Sequence, residues 1–247
     1  MIRCRLLIDE PLHGAWNMAV DEFFLTHAAD EGTCCLRFYQ WSEATLSIGY
    51  FQACAERARH PPSRGCPFVR RPSGGGAIVH DRELTYSLAL PAHHPLARRA
   101  DQLYGEVHST LIAAMEQFDV RLERCDRRAI IAATAEPFLC FQRYAAGDLL
   151  CGPHKVAGSA QRRFRGAVSQ HGSVLLAASP AAPELPGLRE LTGLALGFEQ
   201  LAEIWNEIVA RQMLLKLERV PLSATERSAI ERRRNERYGS PGWNERK

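Results

Sequence analysis

RRPSGGGAIVHDRELTYS, residues 70–87, carries the reading of the whole chain. Arg70 and Arg71 close a strand-like run, CPFVRR. Gly74, Gly75 and Gly76 follow, and AIVH and LTYSLAL then resume strand character. Glycine in such a place costs backbone entropy and gives no side chain to pack. Three in succession predict either a tight turn or bulge, or a loop whose bare backbone lies against something. Two familiar phosphate loops are excluded. A P-loop needs a lysine that AIVHD does not supply, and a dinucleotide fingerprint begun at Gly74 needs glycine where Val79 stands. What remains on the functional side is a loop directing N–H groups at a carbonyl or phosphate. Arg70, Arg71 and His80 beside it favour a ligand with an oxygen-rich, anionic part.

Working outward, RCRLLID opens as a strand, and residues 14–29 form an amphipathic helix with Trp16, Ala19, Val20, Phe23 and Phe24 on one stripe. LRFYQW, TLSIGY, CPFVRR, AIVH and LTYSLAL are successive short strands. A second helix runs near 100–118, and strands follow around 120–125, 147–164 and 167–176. A third helix carries Leu201, Ile204, Trp205 and Ile208. A last one starts at the capping pattern Ser223-Ala-Thr-Glu226 and continues into ERRRNER. Many strands between few helices predict the α+β class, with a mixed, largely antiparallel sheet flanked by helices. No composition break divides the chain, so residues 1–247 read as one domain, with C-terminal helices over 198–237.

The apolar share of 46% and charged share of 24% suit a soluble globular chain. MIRCRLLIDEPL meets Asp9 and Glu10 too early for a secretory signal, and no segment approaches ~18 uninterrupted apolar residues. Eight cysteines without a CxxC pair or zinc-type spacing read as reduced thiols and predict no metal and a cytoplasmic location. Only Lys155, Lys216 and Lys247 among 31 basic residues are lysines, so a lysine inside a motif points to ammonium chemistry.

RRPSGGGAIVHD resembles the ligand-binding loop of the biotin/lipoate protein ligase and octanoyltransferase family. The likeness continues in GAWNMAVDEFF (14–24), RFYQWSEATLSIGYFQ (37–52), HKVAGSAQRR (154–163) and SQHGSVLL (169–176). These blocks keep the family's order over residues 10–180, while the GRGRxGR-like block of biotin ligases is absent. The resemblance implies a catalytic domain related to biotin protein ligase and the core of class II aminoacyl-tRNA synthetases. It also implies work on lipoyl attachment, with Arg71, Ser73, Gly74, Gly75, Gly76 and His80 binding the acyl group. Gly158, Ser159 and Ala160 would let the acyl chain pass a strand. His171 would orient ligand or act as a base, or simply pack.

Within that family, lipoate ligases form an acyl adenylate and octanoyltransferases use a cysteine. One transferase branch carries its cysteine after the HG block, and this chain has none beyond Cys151. PFLCFQRY (137–144) resembles a second branch, with Cys-Phe upstream of the lysine, and ELTYS (83–87) agrees with it. That branch often has arginine where Gly76 stands. By this resemblance Cys140 and Lys155 are the catalytic pair. An ammonium near a thiol favours the reactive thiolate and can steady an oxyanion. The donor would be octanoyl-acyl carrier protein; the acceptor would be a lipoyl-domain protein such as glycine cleavage H protein or a dehydrogenase E2 subunit. No cofactor is required, since thioester to amide is downhill. The alternative is a lipoate ligase needing ATP and Mg, opposed by Cys140 and by a C-terminus that stops before the accessory domain of many ligases.

Cys140 also reads as a core thiol beside Phe138 and Phe141, Cys151 as a rival nucleophile in the LLCGPHK turn, and Asp148 as a strand start or a partner for the acceptor lysine. RRFRG (162–166) is a hairpin tip and ERRRNER (231–237) a helix face, solvated or a rim for acidic partners. A pI near 8.5 with glutamates among the arginines argues against a nucleic-acid surface.

Overall fold

The computed structural model describes residues 1–126 and 137–246; Lys247 lies outside them. Period-two alternation decides which way each strand faces. In β1 (Ile2–Ile8), Leu6 joins one apolar cluster and Leu7 another; in β2 (Cys35–Tyr39), Leu36 and Phe38 oppose Cys35 and Tyr39. Both faces are apolar, so both must be covered. On one side lie α2 (Ala100–Glu116) and α4 (Phe198–Gln212), with Leu103, Val107, Leu111, Leu201 and Trp205 in the core. On the other side lie α1 (Gly14–Asp30) and α5 (Ala224–Arg233), contributing Val20, Phe23, Phe24 and Ile230.

The remaining strands are β3 (Thr45–Ile48), β4 (Phe68–Arg70), β5 (Ile78–His80), β6 (Glu83–Leu90), β7 (Glu123–Arg124), β8 (Leu149–Cys151), β9 (His154–Phe164), β10 (Ala167–Leu175) and β11 (Leu215–Arg219). Eight of the eleven described strands form one sheet in the order β11-β1-β2-β6-β10-β9-β8-β7, parallel at its first two pairings and antiparallel at the other five. A second sheet, β4-β3-β5, carries the glycine run between β4 and β5. The mixed, largely antiparallel sheet flanked by helices is as expected. Among the described residues no helix is long and apolar enough to cross a membrane.

Two local readings hold in detail, and a third is refined. Ser223 Oγ accepts from Glu226 N at 3.3 Å and Ser223 N donates to the Glu226 carboxylate at 2.7 Å, closing the capping box. The RRFRG tip turns through Arg165 (φ 46°) and Gly166 (φ 86°), the paired left-handed residues of a tight hairpin. Residues 147–164 are two strands, not one, because Gly152 (φ 58°) turns the chain between β8 and β9.

Among the elements not foreseen are α3 (Leu188–Thr192) and β11, which closes the sheet beside β1. The ERRRNER segment is more than a solvated face. Arg233 and Arg237 both pair with Glu22 of α1, the former at 3.3 Å, and the Arg237 guanidinium sits 3.7 Å above the Trp243 ring. A π-helical turn (Arg234–Tyr238) then sends Tyr238 into the core.

Candidate active site

What approaches the three glycines is the protein itself. A Cβ on Gly76 would stand 2.8 Å from Arg143 Nε and 3.0 Å from the Phe138 carbonyl oxygen. Gly75 has φ 93°, and a Cβ there would lie 3.1 Å from Arg71 Nη2 and 3.9 Å from Cys140 Sγ. Gly74 is more open, with only the exposed Phe51 ring nearby, at 3.8 Å. Across the loop, a Cβ on Gly49 would fall 2.1 Å from the Gly75 oxygen. The loop is thus pressed between β3 and the segment that carries Cys140.

The two arginines before it bind the loop's own backbone. Arg71 is buried and donates to Gly74 O (2.9 Å), Gly76 O (2.6 Å) and both Ser47 oxygens, so the loop wraps around its guanidinium. Burial lowers its pKa to about 10, opposed by the nearby Cys140 sulfur. Arg70 spans the carbonyls of Gly49, Tyr50 and Gln52 and those of Trp243, Asn244 and Arg246 near the C-terminus. His80 also looks inward. Its ring meets Glu83 at 2.6 Å and Ser47 Oγ at 2.8 Å and stacks on Trp41 at 3.9 Å, so it stands behind Arg71.

Cys140 reaches the loop through backbone pairing. Ala77 N donates to Phe138 O at 3.0 Å and Cys140 N to Ala77 O at 2.7 Å. Phe138, Leu139 and Phe141 anchor this segment in the core of the small sheet, while Cys140 stays half-buried. The chain then turns at Cys140–Gln142, where Lys155 from β9 meets it. Lys155 Nζ donates to Cys140 O (3.3 Å) and Arg143 O (3.1 Å) and pairs with Asp148 Oδ2 at 2.8 Å. The cysteine and lysine expected as a pair are therefore neighbours. Gly158 makes room for them: a Cβ there would lie 2.6 Å from Lys155 Cε and 3.1 Å from Asp148 Oδ1.

Behind the lysine runs a buried polar chain that sequence reasoning missed. Tyr104 OH donates to Asp148 Oδ1 at 2.8 Å and accepts from Ser159 N at 3.2 Å. Ser159 Oγ joins His108 Nε2 and Tyr86 OH, each at 2.7 Å. Burial pushes His108 down to about 4 and Tyr86 up to about 12, so both are neutral at pH 7. Asp148, read as a strand start or an acceptor-lysine ligand, is the ion-pair partner of Lys155. Ala160 faces His171 across the β9–β10 pairing, and His171 Nε2 meets Ser73 Oγ at 2.6 Å. Burial, with Arg71 and His80 adding, holds His171 down to about 3.

Cys151 is half-buried against the main core, and its thiol is pushed up by burial. The adjacent Cys34 and Cys35 point to opposite faces of the sheet, and Cys34 Sγ lies 2.8 Å from Cys4 Sγ. Among the described residues no group of three or more His, Cys, Asp or Glu could hold a metal ion. A groove of about 650 Å3 between α1, α5 and the β9–β10 hairpin touches the glycine loop only at Pro72.

Residues 13–183 match the family described as Lipoyl protein ligase A/B catalytic domain. The chain belongs to this family. Octanoyltransferase LipM of Kyrpidia tusciae is 33% identical over 98% of both chains, and that of Bacillus subtilis is 34% identical over 66% of this chain and 61% of its own. The full-length likeness places the chain among the acyltransferases. Among solved structures, lipoate-protein ligase A bound with ATP superposes with TM-score 0.79 at 18% identity, over 99% of each chain. A bipartite lipoate protein ligase from Thermoplasma acidophilum, determined in a study with its E2 lipoyl domain, gives 0.77 at 16% identity, over 100% of this chain and 99% of that one. At such identities these two establish the shared fold.

Proposed function

We propose that this protein moves an octanoyl group from the thioester of acyl carrier protein to a lysine of a lipoyl-domain protein, through a thioester on Cys140. The observation that carries the reading is the meeting of three elements: the half-buried Cys140 sulfur, the bare backbone at Gly75 and the Lys155 ammonium. Likeness to LipM octanoyltransferases over the full chain supports the reaction class.

The Cys140 thiolate attacks the thioester carbonyl, and the carrier's thiol leaves. The amine of the acceptor lysine then attacks the enzyme thioester, loses a proton, and releases the Cys140 thiolate. A thioester becomes an amide, so ATP has no step to drive. The glycine loop, open at Gly74 and backed by Arg71 and Cys140 at Gly75, lies along the acyl group. The imidazole of His171, kept neutral by burial and bonded to Ser73 Oγ, orients the ligand; a nitrogen held down to about 3 is too weak a base to take the proton of the incoming amine.

Incubation with octanoyl-acyl carrier protein without ATP tests this. An octanoyl adduct on Cys140, located by peptide mass spectrometry, is expected, discharged on adding a lipoyl domain and absent from Cys140→Ala. Transfer that needs ATP and survives Cys140→Ala would instead establish the adenylate-forming ligase.

A further inference from the structure

An ammonium has three hydrogens, and Lys155 has three acceptors. One is the Asp148 carboxylate; the other two are the carbonyls of Cys140 and Arg143, at the two ends of one turn. With these contacts made, no hydrogen is left for the sulfur or for an oxyanion. The aim of the ammonium is set from behind. Asp148 Oδ2 also accepts from Ala145 N at 2.7 Å, and Oδ1 accepts from Tyr104 OH at 2.8 Å. The phenol in turn accepts from Ser159 N, so α2, the loop before β8 and β9 all fix one carboxylate. Asp148 is 2% exposed and Lys155 6%, too enclosed for water to take over either contact.

We propose that Asp148, oriented by Tyr104, is a positioning residue of the acyl transfer: it commits the Lys155 ammonium to clamping the turn that carries Cys140, and so presents the sulfur to the glycine loop. This rests on the transferase reading above. The alternative, in which Lys155 mainly stabilises the thiolate, makes the opposite prediction for one measurement. Removing the carboxylate would then free the positive charge toward the sulfur and speed simple alkylation without harming acylation. For a clamp, losing the carboxylate lets the turn drift. A small reagent still finds the thiol, but the geometry that a carrier-bound thioester needs is lost.

The test compares Asp148→Asn and Tyr104→Phe with the wild-type chain by two readouts. One is single-turnover acylation of Cys140 from octanoyl-acyl carrier protein; the other is alkylation of the same residue by iodoacetamide. The expected result is acylation slowed about 10- to 100-fold in Asp148→Asn and about 3- to 10-fold in Tyr104→Phe. Half-saturation by the carrier should stay unchanged, and alkylation should be undiminished. Wild-type acylation rates in Tyr104→Phe, or alkylation that falls in step with acylation, would overturn the proposal. Should Asp148→Asn fail to fold, Tyr104→Phe decides alone. A wild-type chain that is never acylated removes the transferase reading and this proposal with it; unchanged variants of an active enzyme remove only the proposal.

Discussion

His108 is enclosed between the Gly147 carbonyl and Ser159 Oγ, each at 2.7 Å, and burial holds it neutral down to about pH 4. In the unfolded chain a histidine takes its proton near pH 6.5. Acidification from about 6.5 to about 4 therefore protonates the unfolded state first, and stability falls over that window by up to about 3 kcal/mol from this residue. Denaturant unfolding at a series of pH values should show the slope, and His108→Gln should reduce it, leaving the part due to the likewise buried His171, whatever its effect at pH 8. At this scale the sequence was informative about Cys140 and Lys155, because residue type, local motif and the scarcity of lysine all converged on them. It was silent about Asp148, Tyr104 and His108 as a group. The Tyr104–Asp148 contact bridges 44 residues and His108–Ser159 bridges 51, so only the folded chain brings them together. Arg70, Arg71 and His80 were found as residues of the loop, but not the bonds they make within the protein, since a motif does not say which backbone carbonyls a guanidinium will meet.

Among elements, the glycine loop makes the sharpest demand. Gly49→Ala would drive a methyl against a backbone oxygen, which cannot rotate away, so the loop or β3 must move. The expected cost is about 1–3 kcal/mol, with loss of acyl transfer. Gly65→Ala, which meets nothing within 4 Å, is the control and should be close to neutral in the same thermal and activity assays. At the β9–β10 tip, Arg165 adopts a left-handed conformation that costs an arginine more than asparagine or glycine. Arg165→Asn should raise stability by a few tenths to about 1 kcal/mol, readable as a shifted denaturation midpoint. Helices α2 and α4 were legible from period, and the hairpin from its turn residues. Strand β11 was passed over because its five residues, LKLER, have only one apolar face and lie at the sheet edge, where alternation is short and the burial signal weak.

The whole molecule is three layers, and a buried ionic knot joins two of them. Arg37 of β2 is fully buried and binds Asp9 (2.7 Å), Asp21 of α1 (2.9 Å) and Asn17 Oδ1 (2.7 Å), with Tyr39 OH closing on Asp21 at 2.8 Å. Desolvation raises the Asp21 pKa, and the charge of Arg37 pulls it back. Arg37→Ala strands the buried Asp21 carboxylate and takes the partner from half-buried Asp9, so a loss of about 3–5 kcal/mol is expected in equilibrium unfolding. The layer order follows from alternation along β1 and β2, but a buried arginine gives no such signal in one sequence.

The hold of Arg70 on Trp243, Asn244 and Arg246 has a practical reading. Trp243 Nε1 returns a bond to Arg70 O at 2.8 Å, and Asn244 Oδ1 takes one from Arg70 N at 2.9 Å, so the last described turn is stitched to the strand that leads into the glycine loop. Loosening that turn, as by Trp243→Ala, would then be felt across the 173 residues of sequence that separate Trp243 from Arg70, as faster local opening of the glycine loop in hydrogen exchange.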